Sequence, residues 1–363
     1  MSVPSPSIRK QSMGSAVCAL PNHVDALYQN CAALALPDSD RGELAVGFGA
    51  LCSRERNVLR QPAMGGTAFT LPLASLQMGF GWTTRYPPSD SAQAAATAHD
   101  DIRQRLRLDN DRDGTIGISD DIGANIDSVL AIRHDYAPFV HYTQRFTLAV
   151  SIPLTTTDNV EQAIGVRAEY FEFSLMPDQA ALDFGYLLRF PSSGWSIGLA
   201  TERILHAEFG PTYLPHESYL WRSVSLGCGR RTALIQEQGR TMLGLAFATS
   251  ATLRFRKATM HRDAVLEGGQ MESEREVLAG LCLETPLMDV FTPRIGVDMG
   301  MGTKHFRLTS GARLSLPGPV ALDMSVYEEK GGTTDGYVYQ IGVVTGNLSR
   351  SFHTPSMKSV CND

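Results

Sequence analysis

The sequence predicts an all-β protein, a transmembrane antiparallel β-barrel of about 14 strands. Three observations predict it. Apolar and non-apolar residues alternate through most of the chain after about residue 40, and most alternating segments are roughly 9 to 14 residues long. The face opposite the apolar one is built from small residues and charges of both signs. Such strands fit a wall with lipid on one side and a confined interior on the other.

The alternation is clearest in the segment MLGLAFATSATLRFRK, where odd positions are apolar and even positions are small or charged. The apolar members are Leu243, Leu245, Phe247, Leu253 and Phe255, and they oppose Gly244, Ala246, Ala248, Ser250, Thr252 and Arg254. Residues 295–302 and 320–327 repeat the pattern. Because side chains of a strand point alternately to its two faces, each segment has one apolar face. Ordinary strands have about 5 or 6 residues, whereas a tilted membrane-spanning strand needs roughly 9 to 11.

The composition of the non-apolar face favours a closed barrel. A soluble sheet of this size would carry many Lys and Glu side chains on its water-facing side. Here small residues alternate with isolated charges, which suits side chains that face one another across a lumen. The charged residues that we predict to face the lumen are Arg189, Arg254, Asp298, Arg307, Arg313 and Asp323. The alternative is a soluble β-sandwich or propeller, in which the apolar faces would form a core.

One long interruption, residues 87–126, is polar and is predicted to be an exposed loop. Inside it, DNDRDGTIGISD matches the twelve-residue calcium loop, in which oxygen ligands alternate and a glycine allows a sharp turn. The candidate ligands are Asp109, Asp111, Asp113 and Asp120. Asp120 is shorter than the Glu that usually closes such loops, and no helix pattern follows. A structural calcium ion and a plain acidic loop both stay open, and no other cofactor is expected.

Composition and motifs exclude several function classes. The net charge is −6 and no basic stripe stands out, so nucleic acid is not an expected partner. The six cysteines lie far apart, which favours small packing residues or free thiols over a zinc site. No G-x-S-x-G elbow, Walker A sequence or H-E-x-x-H motif occurs, so we do not expect an enzyme.

Two short runs precede the first strand pattern. They are Ser12-Met13-Gly14-Ser15-Ala16 and Asp25-Ala26-Leu27-Tyr28-Gln29-Asn30-Cys31-Ala32-Ala33-Leu34. This order resembles the N-terminal segment of FadL-type long-chain fatty-acid transporters and the related PorV-like barrels. Their segment reads Gly-Met-Gly-Gly-Ala and then Asp-Ala-Leu-Tyr-x-Asn-Pro-Ala-Ala-Leu. The two runs are most similar to those of the paralogous FadL-like barrels of treponemal spirochaetes. Cys31 stands where the family has Pro, and Ser15 replaces a Gly.

The resemblance implies an N-terminal segment that enters the barrel as a plug and moves as a hatch. It adds a division into plug (1–40), barrel (41–349) and C-terminal tail (350–363), and it assigns plug roles to Met13, Gly14, Asp25, Ala26, Leu27, Tyr28 and Asn30. The same resemblance leads us to expect Tyr28 and Asn30 to bond the barrel wall.

The implied function is passive uptake of a hydrophobic solute, such as a long-chain fatty acid, across an outer membrane. The expected partners are that small molecule and outer-membrane lipid, and the oligomeric state is left open. The alternatives are a structural or secretion-scaffold barrel and a soluble β-protein. The first residues, MSVPSPSIRKQSMG, lack the apolar core of a signal peptide. If the protein lies in an outer membrane, we therefore expect its translation to start upstream of this sequence.

Overall fold

The computed structural model describes residues 7–20, 24–36, 43–53, 59–73, 76–85, 142–173, 178–209, 222–237, 240–257, 273–288, 290–301, 306–317, 320–329 and 336–345. These residues form one short α-helix, three short 3₁₀ segments and fifteen strands. The strands are β1 (Glu43–Ser53), β2 (Leu59–Leu73), β3 (Leu76–Arg85), β4 (Tyr142–Thr156), β5 (Glu161–Phe173), β6 (Asp178–Phe190), β7 (Trp195–Glu202), β8 (Leu205–Phe209), β9 (Arg222–Glu237), β10 (Arg240–Lys257), β11 (Ser273–Glu284), β12 (Phe291–Met301), β13 (Phe306–Ser315), β14 (Val320–Glu329) and β15 (Gly336–Thr345).

All of these strands belong to one antiparallel sheet that closes on itself. The strands from β1 to β7 and from β9 to β15 pair with their neighbours in the chain, β7 pairs with β9, and β15 pairs with β1, so the sheet closes into a ring. The strands β7 and β8 both pair with β6, one with each end of it. Together they occupy a single position in the wall, so fifteen strands make fourteen positions. The break lies at Arg203, whose φ of 56° is in the left-handed region.

The predicted faces are confirmed. In β10, Phe247 and Leu253 are exposed, whereas Ala246, Ala248 and Ser250 between them are buried. Met299 is likewise exposed beside buried Asp298, and Met324 beside buried Asp323. The apolar residues therefore cover the outside and the polar ones line the lumen, which is the reverse of a soluble sandwich. The protein is a transmembrane β-barrel, because only lipid tails cover such an outer face at low cost.

The two ends of the barrel differ in the length of their connections. The ends of β1 and β15 at Glu43 and Thr345 share one rim with the turns 191–194 and 316–319, and all connections at this rim are short. The opposite rim carries the longer connections, among them 86–141 and 258–272. Short turns mark the periplasmic side of outer-membrane barrels. The predicted calcium loop falls in the longest connection and lies outside the described residues, so it stays a prediction.

The residues before β1 form the contents of the barrel. We call residues 7–20 and 24–36 the plug. It consists of α1 (Ile8–Met13) and the 3₁₀ segments Gly14–Ala19, Val24–Tyr28 and Cys31–Ala35. The Ser7 side chain caps α1 by accepting a bond of 3.0 Å from the Lys10 N–H. Among the described helices, none is long and apolar enough to cross a membrane.

Asn30 shapes the second part of the plug. Its side-chain oxygen accepts a bond of 3.2 Å from the Ala32 N–H and so caps the segment Cys31–Ala35. The related barrels have Pro at the position of Cys31. The cap supplied by Asn30 begins the segment without the proline ring.

Candidate functional site

The plug touches every wall position of the barrel, and its two halves divide that wall between them. Residues 8–19 contact β7 and the strands from β9 to β15. Residues 24–35 contact the strands from β1 to β6. We call these two segments the first half and the second half of the plug. The candidate site is the interface between them and the lumen wall.

The first half is tied to the wall by a chain of buried charges. The guanidinium of Arg9 donates to Glu284 at 2.7 Å, and Arg294 donates to the same carboxylate at 2.9 Å. Arg294 also donates to Asp323 at 2.7 Å, and Arg313 donates to Asp323 at 2.5 Å. The five residues alternate in sign, so each carboxylate lies between two cations. Buried charges are tolerated when they are paired in this way.

A second tie leaves the next residue of α1. The ammonium of Lys10 donates to Glu202 on β7 and, at 3.1 Å, to the Tyr28 carbonyl oxygen of the second half. This pair is about a quarter exposed, with side-chain exposures of 24% and 28%. Consecutive residues of one helix thus reach β11 and β7, because their side chains leave the axis about 100° apart.

Wall charges also hold the second half through its backbone. Arg167 donates to Asp183 at 2.7 Å and to the carbonyl oxygen of Leu27 at 3.2 Å. Arg145 pairs with Glu169, and its guanidinium carbon lies 5.3 Å from the centre of the Tyr28 ring. The predicted contact between Tyr28 and the wall is therefore a cation–π contact.

The rest of the second half packs closely against small wall residues. Ala32, Ala33 and Leu34 share one buried cluster with Ala149 and Ala163 of the wall. At Gly165, a β-carbon would lie 2.7 Å from the backbone nitrogen of Ala32, so only glycine lets the plug backbone approach this closely. Asn30 donates to the carbonyl oxygen of Tyr186 at 3.0 Å, and Ser151 donates to that of Ala32 at 3.0 Å. The predicted bond of Asn30 to the wall is present.

The structure places the other predicted plug residues in the same interface, and their hatch role stays a prediction. Met13 is fully buried and packs with Ala246 and Ala248 of β10. Gly14 has a φ of 67°, and a β-carbon there would lie 2.7 Å from Asp298. Asp25 accepts a bond of 2.6 Å from the Ser7 hydroxyl. Ala26 and Leu27 are buried in the cluster of the second half.

The predicted lumen charges lie on the inner face, but only some of them approach the plug. Asp323 and Arg313 belong to the charge chain of Arg9, whereas Arg307 pairs with Asp298 at 3.6 Å and lies 3.5 Å from Gln11. Arg189 pairs with Glu161, from wall to wall. Arg254 alternates with the outward residues of β10.

Sequence reasoning missed the residues that tie the plug down. These are Arg9, Lys10, Arg145, Glu202, Glu284 and Arg294 as plug or wall partners. Most of the wall residues among them lie on the non-apolar face of an alternating strand, and that position predicts that they face the lumen. The sequence does not predict which charges pair, because Arg9 and Glu284, for example, are 275 residues apart.

Two cysteines of the plug are buried and carry free thiols. Cys18 lies against the wall at Gly198, with its sulphur 3.6 Å from that carbonyl oxygen. Burial raises the pKa of the Cys18 thiol to about 12 and that of Cys31 to about 11. Both thiols are therefore neutral while the plug is seated.

The described contacts between the plug and the wall are hydrogen bonds, ion pairs and close packing. Among the described residues, no three His, Cys, Asp or Glu side chains lie close enough to hold a metal ion. What the geometry offers is a closed path through a membrane wall and a segment in that path whose bonds can be exchanged.

Comparisons with known proteins agree with this architecture. No family model and no curated protein sequence matches the chain. Among solved structures, the monoaromatic hydrocarbon channel CymD matches with a TM-score of 0.50 and 10% identity, over 95% of this chain and 98% of that one. The Ralstonia pickettii toluene transporter TbuX matches at 0.48 and 11%, over 95% and 98%. A Pseudomonas aeruginosa FadL homologue matches at 0.45 and 12%, over 95% and 99%. At such identities the likeness to CymD shows the fold alone, and that fold is the predicted barrel.

Proposed function

We propose that the protein mediates passive uptake of a hydrophobic solute, such as a long-chain fatty acid, across an outer membrane, and that the plug is its hatch. One observation carries the proposal. A segment held only by non-covalent contacts reaches all fourteen positions of a closed, lipid-facing wall. A barrel whose only role were to fill space in the membrane would need no such segment in its lumen.

The physical argument concerns which part can move. Opening the wall would break a continuous ladder of backbone hydrogen bonds whose groups would then face lipid, at several kcal/mol for each unsatisfied group. Opening the plug exchanges side-chain bonds for bonds to water inside the lumen. The second route costs far less, so the plug is the element that gates the path.

The class of solute follows from the fold and the motif together. The solved structures similar to this chain are a toluene transporter, a monoaromatic hydrocarbon channel and a FadL homologue. They support a hydrophobic small molecule as the solute and an outer membrane as the location. They also support a channel in preference to an enzyme. The N-terminal motif supports the closer kinship with the treponemal FadL-like barrels.

A reversible lock on the plug tests the proposal. A β-carbon added at Gly227 on β9 has the Cys18 sulphur as its nearest neighbour, and the next atom, the Thr249 carbonyl oxygen, is 3.1 Å away. Gly227→Cys, with every cysteine except Cys18 changed to Ser, therefore offers a disulfide between plug and wall. We expect the oxidised protein in liposomes to lose uptake of a fluorescent fatty acid and the reduced protein to regain it.

The matched control is Gly227→Cys with Cys18→Ser as well, which cannot form the bridge. Uptake by this control must not respond to oxidant. Equal uptake by the oxidised and reduced forms of the locked variant would contradict the hatch. If the wild-type protein takes up no hydrophobic solute, the transport proposal is wrong and the structural or scaffold barrel is the remaining alternative.

A further inference from the structure

An arginine on the outer face of the barrel stands out from the other charges. Arg230 lies on the outward side of β9, as Leu226 and Cys228 do, and it is exposed. Its guanidinium carbon lies 5.6 Å from the centre of the Trp195 ring. Within the described part of the chain, no carboxylate lies within ion-pair distance of it. The buried lumen arginines Arg9, Arg167 and Arg294, in contrast, all have acidic partners.

Two aromatic residues flank Arg230 on the neighbouring strands. Trp195 on β7 and Phe247 on β10 are its direct cross-strand partners. Their rings meet edge to face, with centres 5.7 Å apart and planes at 88°. The three side chains thus form one outward cluster, in which a cation–π contact holds the guanidinium beside the Trp195 ring.

The cluster lies where the wall ends at the short-turn rim. Trp195 is the first residue of β7, and the Arg231 N–H donates at 2.9 Å to the carbonyl oxygen of Gly194 in the turn before it. Beyond this turn, β9 and β10 continue as a bulged hairpin in which Leu234 and Ile235 are exposed. The turn at 191–194 ends the wall formed by β6 and β7 beside Arg230. Arg230 is therefore at the level of the membrane–water interface.

The chemistry of that level identifies the ligand. An arginine on the lipid face costs about 2–4 kcal/mol at the bilayer midplane but about 0–1 kcal/mol near the interface, where an anion can meet it. The anions available to an outward residue at this depth are the phosphates of lipid headgroups, which a guanidinium binds with two parallel hydrogen bonds. The short-turn rim faces the periplasmic leaflet, which is made of glycerophospholipid.

We propose that Arg230, Trp195 and Phe247 form a binding site for the phosphodiester of a glycerophospholipid in the periplasmic leaflet. Arg230 binds the phosphate, Trp195 holds the guanidinium in place, and Phe247 contacts the first carbons of the acyl chains. The site is independent of the hatch, but it rests on the outer-membrane location of the proposed function and on the short-turn rim facing the periplasm.

Lipid binding to the purified barrel tests this site. Native mass spectrometry of the delipidated protein in detergent would count bound phosphatidylglycerol and, separately, dioleoylglycerol, which lacks the phosphate. We expect Arg230→Gln to weaken phosphatidylglycerol binding about tenfold, as the loss of a charge-assisted bidentate pair implies, and to leave dioleoylglycerol binding unchanged. Trp195→Leu should weaken it less, because the charge remains.

The matched control is Arg275→Gln. Arg275 is also an exposed, outward arginine, but it is the third residue of β11, near the opposite rim, and its partner on β10 is Phe255. If Arg275→Gln lowers phosphatidylglycerol binding as much as Arg230→Gln does, the lipid responds to surface charge in general and the site does not exist. Unchanged binding in Arg230→Gln would overturn it as well. Retained heat-modifiable migration on gels shows that each variant is folded.

Discussion

The two halves of the plug are held to the same barrel by different sets of contacts. The first half packs closely against wall glycines such as Gly198 and adds ion pairs of its own side chains, above all that of Arg9 with Glu284 at 2.7 Å. The second half packs closely through its alanines and has short bonds to its backbone, such as Ser151 to Ala32 at 3.0 Å. It is also joined in the chain to β1. Both halves are therefore closely packed, and the ion pairs of Arg9 and Lys10 distinguish the first half.

The difference indicates which half moves. An ion pair can be replaced by water or by another charge once the lumen hydrates, and the first half has alternating wall charges beside it. The backbone of each half meets wall glycines, at Gly165 for the second half and at Gly198 and Gly296 for the first, so the ion pairs and not the packing distinguish the first half. We infer that the first half is released when the path opens, while the second half stays as the anchor.

The largest expected effect comes from Glu284→Gln. The change leaves buried Arg9 without its carboxylate and removes one of the two partners of Arg294. Breaking one side of a buried pair costs about 3–5 kcal/mol. We expect a loss of that size in the free energy of unfolding, measured by urea titration in lipid vesicles, together with faster leak of the solute.

Glu161→Gln is the control for this change. It removes an equally buried carboxylate whose partner, Arg189, belongs to the wall. The barrel should lose stability without a faster leak. A leak in this variant as large as that of Glu284→Gln would mean that the charges hold the barrel and not the plug.

A smaller effect is expected at the anchor. Gly165→Ala would place a β-carbon 2.7 Å from the Ala32 nitrogen, whereas Gly47→Ala meets only the Ile8 side chain, at 3.4 Å. Overpacking of this kind costs about 1–3 kcal/mol. Urea unfolding should show that loss for Gly165→Ala and almost none for Gly47→Ala. Equal stability of the two variants would show that the second half shifts freely.

The smallest effect is expected from Lys10→Met. Its pair with Glu202 is about a quarter exposed, so water already screens it. We expect a loss of about 1 kcal/mol, clearly below that of Glu284→Gln. The ratio of the two leak rates in vesicles measures the order. If Lys10→Met leaks faster than Glu284→Gln, the main tie of the plug is the one to β7 and not the one to β11.

The sequence was sufficient for the wall and for the presence of the plug. Period-two alternation predicted that Phe247 faces lipid and Asp323 faces the lumen, since a closed barrel leaves a strand only these two environments. The motif predicted a buried Asn30 that bonds the wall. These features depend on neighbours in the chain or on a pattern with a single physical solution.

The ties of the plug could not be predicted in the same way. Glu284 meets Arg9 only after the ring has closed, and many lumen carboxylates satisfy the same alternation. Arg203 adopts a φ of 56° at the break between β7 and β8, and a sequence without glycine there does not predict this left-handed conformation. The calcium loop at 109–120 lies outside the described residues and stays a prediction.

The most direct test compares the reactivity of Cys18 in the first half with that of Cys31 in the second. Two variants, each with one of these as its single cysteine, would be labelled with a maleimide in vesicles supplied with fatty acid. Burial raises the pKa of both thiols, so both are neutral while the plug is seated and ionisation does not favour Cys18. The release of the first half predicts that Cys18 is labelled faster. Faster labelling of Cys31, or equal rates, would contradict the division of the plug into a moving half and an anchor.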